Sequence, residues 1–403
     1  MALGDFDLRD LPASFYADPF LTYAALREED PVRLMPDGSY LLSRYSDCMA
    51  VYRDTETFSS DKHAEFLPKY GESPLYEHHT TSLVFNDPPL HTRVRKTIMG
   101  ALSTRALAAL ERQVETLVEQ LLDNMAAKQS AGQSVDFVAD FASAIPIEVI
   151  GNLLGVPHGD RGPLRDWSLA ILGALEPQLT DEEMRRGNAA VEDFLAYLRT
   201  LIADRQANPG DPEQDLLTRL LQGEESGAQL SEQELLHNCI FILNAGHETT
   251  TNIIASAVVL FFEHNKARQA LIHDPALIDC AIEECLRYES PNQLGNRITT
   301  KTANIGGKII EAGSRITLCI GAANRDPSAF ENPDTFDIAR KPNRHLAFAS
   351  GAHQCAGMHV ARMEARLAVI GLLKRFPAYR LTAPPERAHR ARFRGFERLV
   401  GQL

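Results

Sequence analysis

Between Ser231 and Phe262 the chain carries one apolar stretch of about thirty residues, longer than a globular helix usually runs. It opens on Ser231-Glu232-Gln233-Glu234, an S-x-x-E capping box that fixes a helix start. Apolar residues then lie all round the helix, so it must cross the middle of the protein, with everything else built around it. Its longest apolar run, Ile253 to Phe262, is too short to span a bilayer. Inside sits Ala245-Gly246-His247-Glu248-Thr249-Thr250-Thr251. Glycine, an acid and three threonines are poor choices for a buried helix centre, and locally broken rules tend to mark functional sites. Small residues at Ala245 and Gly246 let a flat group pack against the backbone. A threonine hydroxyl can bond back to the carbonyl four residues earlier, loosening the ladder and admitting water. On the residues alone, a kinked core helix with a glutamate reaching outward remains open.

A second stretch narrows the choice. Phe348-Ala349-Ser350-Gly351-Ala352-His353-Gln354-Cys355-Ala356-Gly357 places one cysteine in a loop of small residues just before a helix pattern that runs from Met358 to about Lys374. At a helix amino end the dipole and free N–H groups favour a thiolate. Gly351 and Gly357 let the backbone bend and approach a flat ligand, and Phe348 can lie against that ligand's face. Such a thiolate can bind iron or act as a nucleophile; a buried structural cysteine is the plain alternative. The pattern F-x-x-G-x-H-x-C-x-G resembles the haem-ligand loop of the cytochrome P-450 superfamily, the haem-thiolate monooxygenases.

The resemblance extends, in the family's order, over about residues 80–403. Ala245-Gly246-x-Glu248-Thr249-Thr250 is similar to the family's oxygen-binding groove, with Glu248 and Thr249 as the acid–alcohol pair. Asp87-Pro88-Pro89-Leu90-His91 with Arg95 resembles a helix start whose histidine and arginine hold a haem propionate. The resemblance gives the same role to Arg297 and His353. Glu284 and Arg287, at i and i+3, are in isolation an ordinary surface pair worth little. In the family such a pair is buried and completed by a second arginine, here Arg340. Ala323-Asn324-Arg325-Asp326-Pro327 matches a further family segment. Two residues depart from the pattern: Ala349 replaces a common glycine, implying a stiffer loop, and Glu248 replaces a common aspartate. The implied fold is mainly α with small β-sheets, one haem domain over 1–403, with haem b between the central helix and the cysteine-loop helix, and Cys355 on iron. Ala245, Gly246, Phe348, Gly351 and Gly357 would also touch the cofactor.

The rest of the chain is read by period and punctuation. A helix is expected over Pro19–Glu28, a hairpin around Pro36-Asp37-Gly38, and a short helix over Asp47–Arg53. Residues 59–85 hold prolines, a glycine and three histidines without period, so a long irregular loop is expected there. Helices are expected over 104–128, 137–154, 161–175, 181–208, 213–222 and 277–288, strands over 298–311 and 314–320 separated by Gly306-Gly307 and Gly313, and terminal strands near 378–381 and 396–400. No repeat or separating linker is present.

Composition bounds the partners. A net charge of −13 argues against nucleic acid and acidic membranes. Six scattered cysteines without a C-x-x-C pair point to a reducing, cytoplasmic setting. No basic segment followed by an apolar run begins the chain, so no leader is expected. The resemblance implies O2 and a mostly apolar small molecule as substrates, hydroxylated or epoxidised by a monomer. No flavin or iron–sulfur domain fits beside the haem domain. Electrons are therefore expected from a separate ferredoxin and its reductase, docking on a local basic patch for which Arg105, Arg112, Arg344, Arg362 and Arg366 are candidates. Phe85, Leu172, Leu243 and Phe393 are candidate pocket residues. Asn292 and Gln293 either hold a polar handle of the substrate or simply face solvent or cap the preceding helix. Rival readings are a peroxide-using haem-thiolate enzyme, against which the Glu248–Thr249 pair argues, and a non-catalytic haem sensor. A thiol nucleophile with His353 as base is weak, because loop residues i and i+2 rarely face each other.

Overall fold

The computed structural model describes residues 4, 6–102, 104–212, 215–222 and 230–403. In chain order, α1 (Ala13–Ala17) and α2 (Phe20–Glu29) lead into the antiparallel hairpin β1 (Val32–Leu34) and β2 (Tyr40–Leu42). Then come α3 (Tyr45–Arg53), β3 (Phe58–Ser59), α4 (His63–Tyr70), α5 (Pro74–Thr81) and a 3-10 turn over Leu83–Phe85. Next are α6 (Leu90–Ala101), α7 (Thr104–Ser130), β4 (Val135–Asp136), α8 (Ala144–Leu153), α9 (Leu164–Gly173), α10 (Asp181–Ala207) and α11 (Leu216–Gln222). The central helix α12 (Glu232–Glu263) is followed by α13 (Asn265–His273) and α14 (Ile278–Tyr288). The chain continues through β5 (Leu294–Thr299), β6 (Ala303–Ile305), β7 (Lys308–Ile310), β8 (Arg315–Cys319) and α15 (Ile320–Ala323). It closes with α16 (Met358–Arg375), β9 (Arg380–Leu381), β10 (Glu386–Arg387), β11 (Phe396–Arg398) and β12 (Val400–Gln402). The fold is mainly helical with small sheets, as the sequence implies.

Contacts divide the chain into two compact units: Met1–Phe58 with Val114–Ile145 and Thr249–Leu403, and Ser59–Gln113 with Pro146–Glu248. The first holds a five-stranded sheet in the order β1-β2-β8-β5-β3, with β2 parallel to β8 through Tyr40↔Ile316 and β5 antiparallel to β8. Its core gathers Val32, Leu42, Val51, Phe58, Ile316 and Leu318 around that sheet. α14 packs on α16 in the same unit. The second is helical: α10 packs on α9 and α5, α5 on α4, and α11 on α6. Trp167 stacks on Phe194 there, with ring centroids 5.1 Å apart.

The capping box forms as expected. The Ser231 hydroxyl accepts from the Glu234 N–H at 3.1 Å, and the Glu234 carboxylate accepts from the Ser231 N–H at 2.9 Å. The unit boundary falls inside α12, between Glu248 and Thr249. Among the described residues no helix is long and apolar enough to cross a membrane.

Two expectations are corrected. Residues 59–85 are not an irregular loop but carry α4 and α5, whose short helical turns are held by tertiary bonds rather than by period. The Tyr70 hydroxyl donates to the Ala174 carbonyl at 2.6 Å, and Asn188 Oδ1 accepts from the Leu75 N–H at 3.0 Å. The helix expected over 137–154 opens as a π-turn, Val138–Ala142, before α8 begins. The strands expected within 298–311 form as the end of β5 and the β6–β7 hairpin, whose turn is made by Gly306 and Gly307, at φ 55 and 85, where the sequence separates them. Part of the expected start of α11, residues 213–214, lies outside the described residues.

Candidate active site

The cysteine loop is a backbone construction. The Cys355 N–H donates to the Phe348 carbonyl at 2.9 Å, closing the loop, and the Ala349 N–H donates to the Leu346 carbonyl at 2.8 Å. Gly351 takes φ 71, and a Cβ there would drive into the Tyr52 carbonyl, so glycine is required on both counts. The loop is thereby seated on α3. Tyr52 serves the site twice: its ring lies beneath the Arg297 guanidinium at 5.3 Å. The structure thus brings Arg297 and the cysteine loop onto one buried tyrosine that no sequence pattern marked. Arg297 is 7% exposed and donates to the Asn296 carbonyl at 2.7 Å. His353 ends the 3-10 turn Gly351–His353 and is half-buried.

Phe348 is held from the side. Arg362 lies over its ring at 4.6 Å and the His345 ring is 5.9 Å away. Both side chains meet Glu283, Arg362 through two bonds of 2.7 Å and His345 Nε2 at 3.3 Å. Burial pushes the Glu283 carboxyl up, but hydrogen bonds from His345 and Arg362 outweigh it and bring the pKa to about 2. Glu284, the next residue, faces elsewhere. Its carboxylate takes Arg287 at 2.7 and 2.8 Å, Arg340 Nε at 3.1 and 3.2 Å, Asn343 at 3.1 Å and the Asp337 N–H at 2.9 Å. Glu284 and the Arg287 side chain are fully buried. The three sequence-predicted members therefore meet as one buried cluster.

Ala349 sits at φ 56, a left-handed backbone that disfavours a β-carbon. Ala349→Gly should hold or raise unfolding stability by up to about 1 kcal/mol. Ala349→Val should lower it by about 2 kcal/mol, because a branched side chain tolerates this backbone least. Urea denaturation of the pair checks this; valine equal to glycine would refute the strain.

The cysteines are chemically sorted. Cys48, Cys239, Cys285 and Cys319 are buried, and burial pushes their thiols up, Cys239 and Cys319 to about 12. Such thiols are inert at neutral pH. Cys355 and Cys280 are half-buried, and Cys355 alone of the two precedes a long helix amino end.

On α12 the burial pattern has one gap. Leu243, Asn244, His247, Glu248 and Thr250 are buried, while Phe241, Ile242, Gly246 and Thr249 are half-buried and Ala245 is exposed. Positions 242, 245, 246 and 249 share one face of a helix. The side-chain position of Gly246 is closed by Ile150, which a Cβ there would meet at 2.5 Å, so the uncovered residue at the centre of this face is Ala245. Glu248 is 5% exposed and directly precedes Thr249. The half-exposed Cys355, in a loop whose Gly357 has open space where a side chain would stand, fits the thiolate ligand of a haem.

His91 and Arg95 share a face of α6, His91 being 3% exposed and Arg95 half-buried. The helix start is pinned by Asp87, whose carboxylate accepts from the Ser59 hydroxyl and, at 3.0 Å, from the Ser60 N–H. In the same unit Phe85 is half-buried against Phe66 at 5.2 Å, and Leu172 and Leu243 are buried. In the other unit Phe393 is 7% exposed and pairs with Asn292 through an isolated β-bridge. Gln293 is buried and donates to the Ser290 carbonyl at 2.6 Å, closing the end of α14. Of the candidate basic patch, Arg362 is bound to Glu283 and Arg366 lies 3.9 Å from Asp279; the Arg105 side chain lies outside the described residues.

Two buried polar groups were not singled out in the sequence. Glu364 on α16 is 1% exposed, one carboxyl oxygen lacks a partner, and burial pushes its pKa well up. An acid set between Val360, Met363 and Leu367 was the available signal. Asn244 on α12 is 2% exposed with neither amide atom partnered.

A family model described as cytochrome P-450 matches residues 174–393. The biotin biosynthesis cytochrome P-450 of Bacillus subtilis is 34% identical over 375 residues, 92% of each chain. The polyketide biosynthesis cytochrome P-450 PksS of the same organism is 35% identical over 383 residues, again 92% of each chain. Among solved structures, that of P-450 BioI with an acyl carrier protein bearing hexadec-9Z-enoic acid superposes with a TM-score of 0.90 at 32% identity, covering 98% of this chain and 100% of that one.

Proposed function

Because the chain belongs to the cytochrome P-450 family, a family of haem monooxygenases, we propose that residues 1–403 act as one haem domain that inserts an oxygen atom from O2 into a mostly apolar small molecule. The observation that carries this reading is the backbone-closed loop that presents Cys355, half-exposed, ahead of α16. Haem, when bound, supplies the redox chemistry and the activation of O2. Cys355 would ligate its iron as thiolate, and such a ligand pushes electron density toward O–O cleavage. Gly351, Gly357 and Phe348, and on α12 Ala245 and Gly246, would touch the haem. Its anionic propionates would be met by His91, Arg95, Arg297 and His353, because cations give the strongest bonds to carboxylates.

Thr249 Oγ1 would hold a proton beside dioxygen, and the buried Glu248 carboxyl would resupply it. Phe85, Leu172, Leu243 and Phe393 would exclude water and shape an apolar pocket. Asn292 and Gln293 are the weaker members: Gln293 already serves the end of α14. Electrons would come from a separate ferredoxin and its reductase. Thr249→Ala should therefore keep haem, substrate binding and reductant consumption while product per electron falls on the order of tenfold and hydrogen peroxide rises. The measurement is product and peroxide per reductant consumed, on a substrate found by screening a library for the spin-state change on binding. Unchanged coupling would mean that protons reach dioxygen through other groups.

A further inference from the structure

Three imidazoles are buried together where α5 meets the start of α12. His78, His79 and His237 are each 2% exposed. The ring centroids of His78 and His79 lie 5.0 Å apart, and those of His78 and His237 lie 5.7 Å apart. α4 faces His79 with the rings of Phe66 and Tyr70, at 5.6 and 5.5 Å. Nδ1 of His78 and Nδ1 of His237 have no hydrogen-bond partner. The charges around the cluster are unequal. From α5, the half-exposed Glu77 lies 3.7 Å from His237 Nε2 and also accepts from Gln233 at 2.6 Å. Burial first, and then the Arg199 charge from α10, act against protonation of His237, while Glu77 favours it. His78 gains no carboxylate: burial, then His79 and His237, all press it toward the neutral form.

The same contact fixes the chain beyond α5. Asn238, beside His237, accepts from the Leu83 N–H at 2.9 Å and donates to the Thr81 carbonyl at 3.4 Å. The Ser82 hydroxyl donates to the His78 carbonyl at 2.6 Å, and Asn86 donates to the Thr80 and Ser82 carbonyls at 2.7 and 2.8 Å. Phe85 itself lies 5.6 Å from the His79 ring. Residues 78–86 are therefore set by how α5 seats on α12.

We propose that this cluster is an acid-sensitive clasp: protonation of His78 as the pH falls below neutrality releases α5 from α12 and frees residues 78–86, Phe85 included. A positive imidazole there would be buried without a counter-charge and beside two others, an arrangement that only opening relieves. The sign follows. His78 is neutral when closed and regains an ordinary histidine affinity for protons, near pH 6.5, when open, so acid favours the open form. One such group raises the opening constant about tenfold for each pH unit below about 6.5. The release stands apart from the proposed function; only its effect on substrate entry rests on that reading.

The test is amide hydrogen exchange of the holoenzyme between pH 7.5 and 5.5, corrected for intrinsic rates, comparing residues 75–86 with α16. In wild type, protection of 75–86 should fall about tenfold per pH unit below 6.5 while α16 stays protected. In His78→Gln the fall should become shallower, with His237, which burial also holds toward the neutral form, supplying what remains. Constant protection in wild type, the same slope in His78→Gln, or loss shared with α16 would each overturn the clasp. Should the variant fail to fold, histidine-labelled wild type decides by NMR. His78 staying neutral until 75–86 open supports the clasp, whereas His78 titrating normally under a protected α5 overturns it. No substrate enters either measurement, so a failure of the clasp and a failure of the monooxygenase reading are distinguishable.

Discussion

Cys355→Ser is expected to fold, to keep its helical circular dichroism, and to lose the red-shifted carbon monoxide band of thiolate-ligated haem together with activity. Losing groups that merely orient a metal ligand typically costs ten- to a hundredfold, so loss of the ligand itself should exceed about a hundredfold. The fold should survive because the loop is closed by backbone: the Cys355 N–H on the Phe348 carbonyl, and Gly351 against Tyr52. A serine leaves those bonds in place. The carbon monoxide difference spectrum of the reduced protein is the deciding measurement. A surviving red-shifted band would remove Cys355 as ligand and make Cys280, the other half-buried thiol, the next to examine.

Glu284→Ala should produce the largest loss of stability of any single change near the site, about 3–5 kcal/mol, because it strands two arginines in a buried setting. Arg287 is 1% exposed, and its Nη1 and Nη2 donate to the carbonyls of Asn324, Pro333 and Thr335 at 3.0, 2.7 and 3.2 Å. Without Glu284 those bonds remain but the charge does not. The cluster is a joint: α14, the turn at Asn324 and the meander 331–343 are tied together through Glu284 and the two arginines it holds. Glu284→Gln keeps the volume and should cost less than alanine. Salt should matter little, since buried charges are weakly screened. Chemical denaturation monitored by circular dichroism and by haem release measures both variants. A loss below about 1 kcal/mol for alanine would mean that the arginines find other partners.

What the sequence made legible was local and rule-breaking. The Cys355 loop stood out because glycines and a lone cysteine precede a helix, and α12 because polar residues interrupt an apolar run. Glu284, Arg287 and Arg340 were legible only through resemblance; spacing alone made the first two an ordinary surface pair. What stayed hidden depends on distant partners. Tyr52 looks like any core aromatic of α3, yet it seats the cysteine loop and underlies Arg297. α4 and α5 escaped because Pro68, Gly71, Pro74 and the histidines erase the helical period over 63–81. Their order comes from Ala174, Glu176 and Asn188, about a hundred residues away. Glu364 was passed over because a carboxyl inside an amphipathic helix pattern is assumed to face water.

The parallel pairing of β2 with β8 bears on how the chain is made. Tyr40 hydrogen-bonds its way into register with Ile316, so the first strands cannot complete their sheet until the ribosome has delivered their partner. At roughly 5–20 residues per second that delay is on the order of 15–55 seconds. Throughout it the edge of β2 is an unpaired template, and Val32 and Leu42 of the nascent chain face solvent or a chaperone. Slow synthesis or scarce holdase capacity should thus penalise yield of the soluble protein more than any weakness of the finished fold. A stalled chain ending before β8 should be the species that chaperones retain.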